Sequence, residues 1–260
     1  MKINIFAFFI FQKIISLVQH LLAILLGEEE CVCCSRLSGA IPLCKTCKQN
    51  LFLESKIDTK RCSVCGKVLI SEINICYNCR FVPVLTNIEK SFPMFSYRLW
   101  KKNLLFAWKS ENKRVLSPLF AEFVYNHFIS VVKTLGLDNN IPIVPIPPRP
   151  NKIKNKGWDQ IDELCYYLKK MYGLKVLPIL RRLTKTQQKK LDRKQRLNQI
   201  IKSYTLENKN ILKKYLKNIP EQVFLIDDVI TTGSTINSCA ALLKGIGIKK
   251  VYDISIFIVD

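Results

Sequence analysis

Val223-Phe-Leu-Ile-Asp-Asp-Val-Ile-Thr-Thr-Gly-Ser-Thr235 is the stretch from which the rest of the chain is read. Val223 to Ile226 is a short apolar run that predicts a buried strand, and Asp227 and Asp228 stand at its C-terminal end, where ligands sit in open α/β sheets. Thr231, Thr232, Gly233, Ser234 and Thr235 are small and mostly hydroxylated. Such a loop can wrap backbone N–H groups and hydroxyls around a phosphate, with the next helix, Ile236 to Leu243, presenting its N-terminal dipole. Carboxylates repel phosphate but accept hydrogen bonds from sugar hydroxyls. Acids beside an anion loop therefore point to a sugar phosphate. Val251 to Val259 is again strand-like, and strand, loop, helix, strand is a βαβ unit, which implies a parallel sheet.

Working outward, Asn112 to Thr134 predicts a helix with apolar positions at Leu116, Leu119, Phe120, Phe123 and Val124. Ile141 to Ile146 predicts a buried strand ended by Pro147 and Pro148, and Asp159 to Tyr172 another helix. Hydrophobic residues make up 48% of the 260, enough for a sizeable core. Composition shifts near Ile88, giving three parts: an apolar amphipathic N-terminal helix (1–27), a double zinc-knuckle domain (28–87) and an α/β domain (88–260), a parallel sheet flanked by helices.

Eight of the 11 cysteines form four C-x-x-C pairs: Cys31/Cys34, Cys44/Cys47, Cys62/Cys65 and Cys76/Cys79. Regular pairs of this spacing suit tetrahedral thiolate sites for structural Zn2+, with no open position for catalysis. The simplest grouping puts the first four around one ion and the last four around another. Interleaved pairing satisfies the same spacings, and Cys33 competes with Cys31 beside Cys34. Gly66, directly after Cys65, suits a knuckle backbone with positive φ.

The formal net charge is +21. It favours nucleic acid, phosphorylated ligands or an anionic membrane surface as partners, although a Lys-, Ile- and Asn-rich composition also follows from genomic base usage. Residues 3–26 are strongly apolar. Gln12, Lys13, Ser16, Gln19 and His20 recur at helical spacing, and Lys13 is costly in mid-bilayer. An amphipathic helix packed on the protein, or making peripheral membrane contact, is expected rather than a span. Arg181 to Arg196 carries eight basic residues and one acid. It suits a mobile loop over a substrate, a track for nucleic-acid phosphates, or a solvated helix face.

The Val223–Thr235 stretch resembles the phosphoribosyl-pyrophosphate motif of type I phosphoribosyltransferases. The resemblance implies that Asp227 and Asp228 contact ribose hydroxyls, as the catalytic pair, while Thr231 to Thr235 hold the 5′-phosphate and Mg2+ arrives with the pyrophosphate. Further segments resemble the ComF (competence protein F) family, in which a Cys zinc module precedes a phosphoribosyltransferase-like domain. They are Tyr97 to Lys109; Val144-Pro-Ile-Pro147 with Arg149 and Lys156-Gly-Trp-Asp-Gln160; and Arg181, Gln188, Leu191 and Arg196. Lys156, Trp158 and Asp159 stand where that family's block has Arg, Phe and Asn, and Gln199 where Asn is usual. By resemblance, Arg149, Lys156 and Gln160 join the substrate site. From the residues alone, Gln160 is as readily a cap or a solvated side chain as a hydrogen-bonding partner of the ligand. The resemblance implies a cytoplasmic protein at the inner face of the membrane, with phosphoribosyl pyrophosphate or a related sugar phosphate as ligand. It also implies single-stranded DNA and competence-machinery proteins as partners in natural competence. An active phosphoribosyltransferase of unknown acceptor and a catalytically silent sensor of a nucleotide precursor are the alternatives.

Overall fold

The structure, a computed structural model, describes residues 29–39, 41–54, 60–183 and 203–259. The expected N-terminal helix, and Gln188, Leu191, Arg196 and Gln199, lie outside the described residues. The elements in chain order are α1 (Lys45–Glu54), α2 (Tyr77–Phe81), β1 (Lys90–Ser91), β2 (Phe95–Ser96) and α3 (Lys101–Lys109). They continue with α4 (Ser117–Thr134), β3 (Ile143–Pro145), α5 (Lys152–Lys156), α6 (Gln160–Tyr172), β4 (Leu180–Arg182) and β5 (Tyr204–Leu206). The last are α7 (Lys209–Tyr215), β6 (Gln222–Ile230), α8 (Ser234–Gly245) and β7 (Lys250–Ile258).

The chain divides into two compact units. One holds, of the described residues, 29–39, 41–54 and Arg98–Leu116; the other holds 60–97, 117–183 and 203–259. The sequence division at residue 87 thus runs through the second unit, and the segment from Cys62 to Cys79 falls with the sheet. In the first unit α3 buries Leu104, Leu105, Ala107 and Trp108, and Lys113 pairs with Glu29.

The five-stranded sheet of the second unit is wholly parallel, in the order β1–β7–β6–β3, with β2 also paired to β7, while β4 and β5 form a separate antiparallel pair. Each pairing therefore needs a crossover, and α8 supplies the one between β6 and β7. Alternation sends Val223, Leu225 and Val251 to one face, where Ile236, Cys239, Ala240 and Leu243 of α8 cover them. The other face is aromatic. Phe224 meets Phe128 of α4 at 5.2 Å and stacks on Tyr252 at 5.1 Å, while Phe257 meets Phe95 and Phe120. Each fully buried Phe contributes about 1.5–3 kcal/mol by transfer from water. Tyr252 and Phe257 lie on the same side although five residues apart, so β7 loses one step of alternation between them. Asp227 and Asp228 lie on the neighbouring strand at that slip, Asp227 opposite Ser255.

Three expected boundaries shift for local reasons. The helix expected from Asn112 begins at Ser117, after a 3-10 turn at Arg114–Leu116. Pro118 lacks the N–H that a longer helix would need there and suits a first turn instead. The strand expected to stop at Ile226 continues to Ile230, because the acid pair stays in register with β7. Helix α8 begins at Ser234, so the last two loop residues form its first turn. The Arg114–Thr134 stretch is long and apolar enough to cross a membrane by composition, but its Phe120, Phe123 and Phe128 are buried in the aromatic layer.

The β1 border is unusual. Pro93 interrupts the edge between β1 and β2, where its missing N–H cannot join the ladder. Phe92 N donates to Asp253 O (2.7 Å) and Met94 N to Ser255 O (2.9 Å), so pairing continues on either side. The segment after Cys62 covers this edge. Ser91 N donates to Val64 O (2.9 Å), and the Arg61 guanidinium donates to the carbonyls of Gly66, Pro93 and Met94.

Candidate functional site

Helix α8 needs a tight entry because β6 runs straight into it. Thr231 to Gly233 form a three-residue bend, with Thr231 and Thr232 exposed and Gly233 buried. Gly233 caps α8 with φ +80°, a region that disfavours a Cβ, and a Cβ there would stand 2.6 Å from Leu85 Cδ2. Conformation and space both demand glycine. The hydroxyls of Thr232 and Ser234 share a hydrogen bond of 2.9 Å. The amides of Thr231, Thr232 and Gly233 donate to no backbone carbonyl among the described residues. A bend whose amides are not taken up by backbone carbonyls, at the N-terminus of a 12-residue helix, can receive an anion. Asp227 and Asp228 are half-buried immediately upstream, and Asp228 N donates to Asp227 Oδ1 (2.8 Å).

The antiparallel β4–β5 pair adds residues that periodicity did not single out. Tyr204 is buried, with the Thr235 side chain acting on its phenol. Burial raises the Tyr204 phenol above its ordinary value, while Arg182 and Thr235 pull it down. The Arg182 guanidinium lies 5.3 Å over the Tyr204 ring, a cation–π contact. The apolar-polar alternation of a three-residue strand is too brief to have flagged either residue.

A separate cleft of about 560 Å3 opens at the C-terminal end of β3. Pro145, Pro147, Arg149, Asp162, Arg181 and Arg182 are among its lining residues. Burial and the neighbouring Asp159 raise the Asp162 carboxyl to about 6, with Lys152 acting in the opposite direction. Arg149 thus joins Arg181 and Arg182 rather than the bend, and none of residues Thr231 to Thr235 lines the cleft. Lys156 ends α5 with its ammonium 5.1 Å over the Trp158 ring.

Gln160 is neither a cap nor solvated. Asp159 is the N-cap of α6: its Oδ1 accepts from Ile161 N (2.9 Å) and Asp162 N (3.1 Å). Gln160 is fully buried and its Oε1 accepts from Lys152 Nζ, which also pairs with Asp159 Oδ2.

The cysteines gather in sequential order. Cys31, Cys34, Cys44 and Cys47 form one tetrad, and Cys62, Cys65, Cys76 and Cys79 the other, with the sulfurs of each within 4.8 Å of one another. Cys33 belongs to neither. Four bonds of about 2.3 Å from a tetrahedral zinc put sulfurs about 3.8 Å apart. Cys34 and Cys44 Sγ are 3.6 Å apart, and Cys65 and Cys76 Sγ 3.7 Å, so the spacing fits such an ion. Burial opposes thiolate formation at Cys31, yet the amides of Cys44, Cys33 and Cys34 bring it down to about 6. Burial and nearby thiolates push Cys79 the other way. Four sulfurs this close could all ionise only around a bound cation.

The tetrads repeat one design. Glu30 bridges Leu37 and Arg61 bridges Val68, around residues of positive φ at Ser35 (58°) and Gly66 (70°). Helices α1 and α2 each start directly after the third Cys of their tetrad. The copies differ where the second meets the sheet edge. A Cβ at Gly66 would stand 2.3 Å from Pro93 Cδ and 2.7 Å from Ser91 O.

No family model matches the chain. It is 24% identical over 214 residues to Competence protein ComFC of Streptococcus pneumoniae, covering 82% of this chain and 86% of that protein. It is 26% identical over 192 residues to Competence protein F of Haemophilus influenzae, covering 73% of this chain and 81% of that protein.

Proposed function

We propose that the chain is a member of the ComF family, as its similarity to two competence proteins supports, and that it acts in natural competence through a site for phosphoribosyl pyrophosphate. The observation that carries the site is the entry to α8. Two half-buried carboxylates precede an exposed hydroxyl-bearing bend whose glycine cannot be replaced without strain. In this reading the bend holds the 5′-phosphate, Asp227 and Asp228 accept from the ribose hydroxyls, and Mg2+ comes with the pyrophosphate. Arg149, Arg181 and Arg182 supply positive charge in the neighbouring cleft. The cysteine tetrads hold structural zinc. The charge of +21 supports single-stranded DNA as a partner, handled on the cytoplasmic side of the membrane.

Calorimetric titration of the zinc-loaded protein with phosphoribosyl pyrophosphate and Mg2+ tests the site. Saturable binding is expected, and its loss in Asp227→Asn and Asp228→Asn. No heat of binding to the intact protein rejects the reading. Release of pyrophosphate across a panel of acceptor bases separates turnover from silent binding. Single-strand binding that does not weaken steeply with salt counts against a phosphate-tracking surface.

A further inference from the structure

The segment between the second tetrad and the sheet touches the anion bend at two points. Leu85 is buried against Gly233, close enough that a Cβ on the glycine would overlap it. Two residues later, Asn87 N donates to Asn237 Oδ1 (2.7 Å), and Asn87 Nδ2 donates to the same oxygen (3.3 Å). Asn237 N in turn donates to Gly233 O (2.9 Å), so this asparagine sits in the first turn that the bend feeds. The linker thus holds both the glycine and the helix start.

The tetrad end of the linker is equally well anchored. Cys62 and Cys76 are buried with Leu69 in a small apolar cluster, with Val64 and Cys65 packed against it. Val64 and Cys65 also pack against the larger core that contains Leu85, Ile236, Cys239 and Ala240. The same two side chains serve both cores. Arg61 and Val64 fasten this segment to the β1 border through backbone carbonyls. So small a module would need a metal ion in addition to this packing to hold its shape.

We infer that Leu85 and Asn87 are positioning residues for the bend, and that metal bound by Cys62, Cys65, Cys76 and Cys79 tightens the bend's grip on its anion. The inference rests on the proposed ligand reading for its affinity arm only. The linker has a fixed path from Cys79 to Leu85 only while the tetrad is closed. When the tetrad opens, Leu85 is free to leave Gly233 and the bend amides lose their common aim. Coupling of this kind is reciprocal: if metal tightens the anion, the anion tightens metal by the same factor.

The test combines zinc competition, calorimetry and hydrogen exchange on the full chain. Leu85→Ala retains all eight metal-ligating thiols, and it is expected to keep both zinc ions yet bind phosphoribosyl pyrophosphate about tenfold more weakly. Leu85→Met restores binding. In the wild type, the ligand slows zinc loss from the second tetrad to a chromogenic chelator; in Leu85→Ala it does not. A purely structural leucine would not remove that linkage. Cys79→Ser speeds exchange of the Asn237 amide, which bonds to Gly233 O, and of the α8 turn that follows it, whereas Cys47→Ser, in the other unit, leaves them unchanged. The inference is overturned if Leu85→Ala binds and exchanges as the wild type does and Cys79→Ser leaves Asn237 and the α8 turn after it as protected as before. Failure of the wild type to bind phosphoribosyl pyrophosphate rejects the ligand reading instead, and the exchange comparison still decides the coupling.

Discussion

Ser91 on β1 donates its hydroxyl hydrogen bond to the Asp253 carboxylate on β7, and both residues are fully buried. Ser255 bonds to the same carboxylate at 3.1 Å. Burial lifts Asp253 to about 7, against the pull of the two serine hydroxyls. An unfolded aspartate titrates near pH 4, so between about 4 and 7 the folded state binds more protons than the unfolded one. Stability from this group therefore falls as pH rises through that window and is level above it. Urea unfolding should show Asp253→Asn gaining on the wild type from pH 4 to 7, with no further gain at pH 8. A constant difference across the window would place the titration elsewhere.

Gly233→Ala forces a Cβ into a left-handed conformation and against Leu85. The expected loss is about 1–3 kcal/mol in chemical denaturation, with ligand binding lost as well. An alanine variant as stable as the wild type would mean that the bend relaxes without strain.

The two knuckles should respond oppositely to exchange of their turn residues. Ser35→Gly relieves a positive φ and should change stability by less than about 1 kcal/mol. Gly66→Ser meets Pro93 and a backbone carbonyl and should cost about 2 kcal/mol or more. Thermal unfolding of the zinc-loaded variants reads both.

Asp159→Ala removes the α6 cap and leaves Lys152 without its carboxylate, an expected loss of roughly 3 kcal/mol. Asp159→Asn keeps the capping acceptor and should lose less. Equal losses in urea titrations would show that the cap contributes nothing beyond the ion pair.

Metal analysis should find zinc lost from one tetrad in Cys34→Ser and from the other in Cys76→Ser, while Cys33→Ser retains both ions. Loss of an ion from Cys33→Ser would bring that thiol into the first site.

The sequence carried local signals well and long-range ones poorly. Asp159 was legible as a helix start because capping depends on the next three residues. Four C-x-x-C pairs announced two metal sites for the same reason. The burial of Gln160 is not legible in the sequence because its partner, Lys152, reaches it from another short helix, which no periodicity encodes. The strand end at Ile226 was set too early because charge suggested a loop, whereas pairing with β7 keeps the acids in the sheet. The split edge strand was invisible: β1 and β2 have two residues each, and only β7 makes them strands. Gly66 held a clue to the tetrad's docking, since its counterpart Ser35 shows that the turn alone does not require glycine.

The covered border at β1 has a bearing on how copies of the chain can meet. A parallel sheet normally ends in a row of unpaired amides and carbonyls onto which another molecule can zip. Here Val64 and the Arg61 guanidinium occupy several of those groups, and Pro93 offers no amide at all. The second knuckle is thus also a stopper, closing that side of the sheet to strand-by-strand polymer growth.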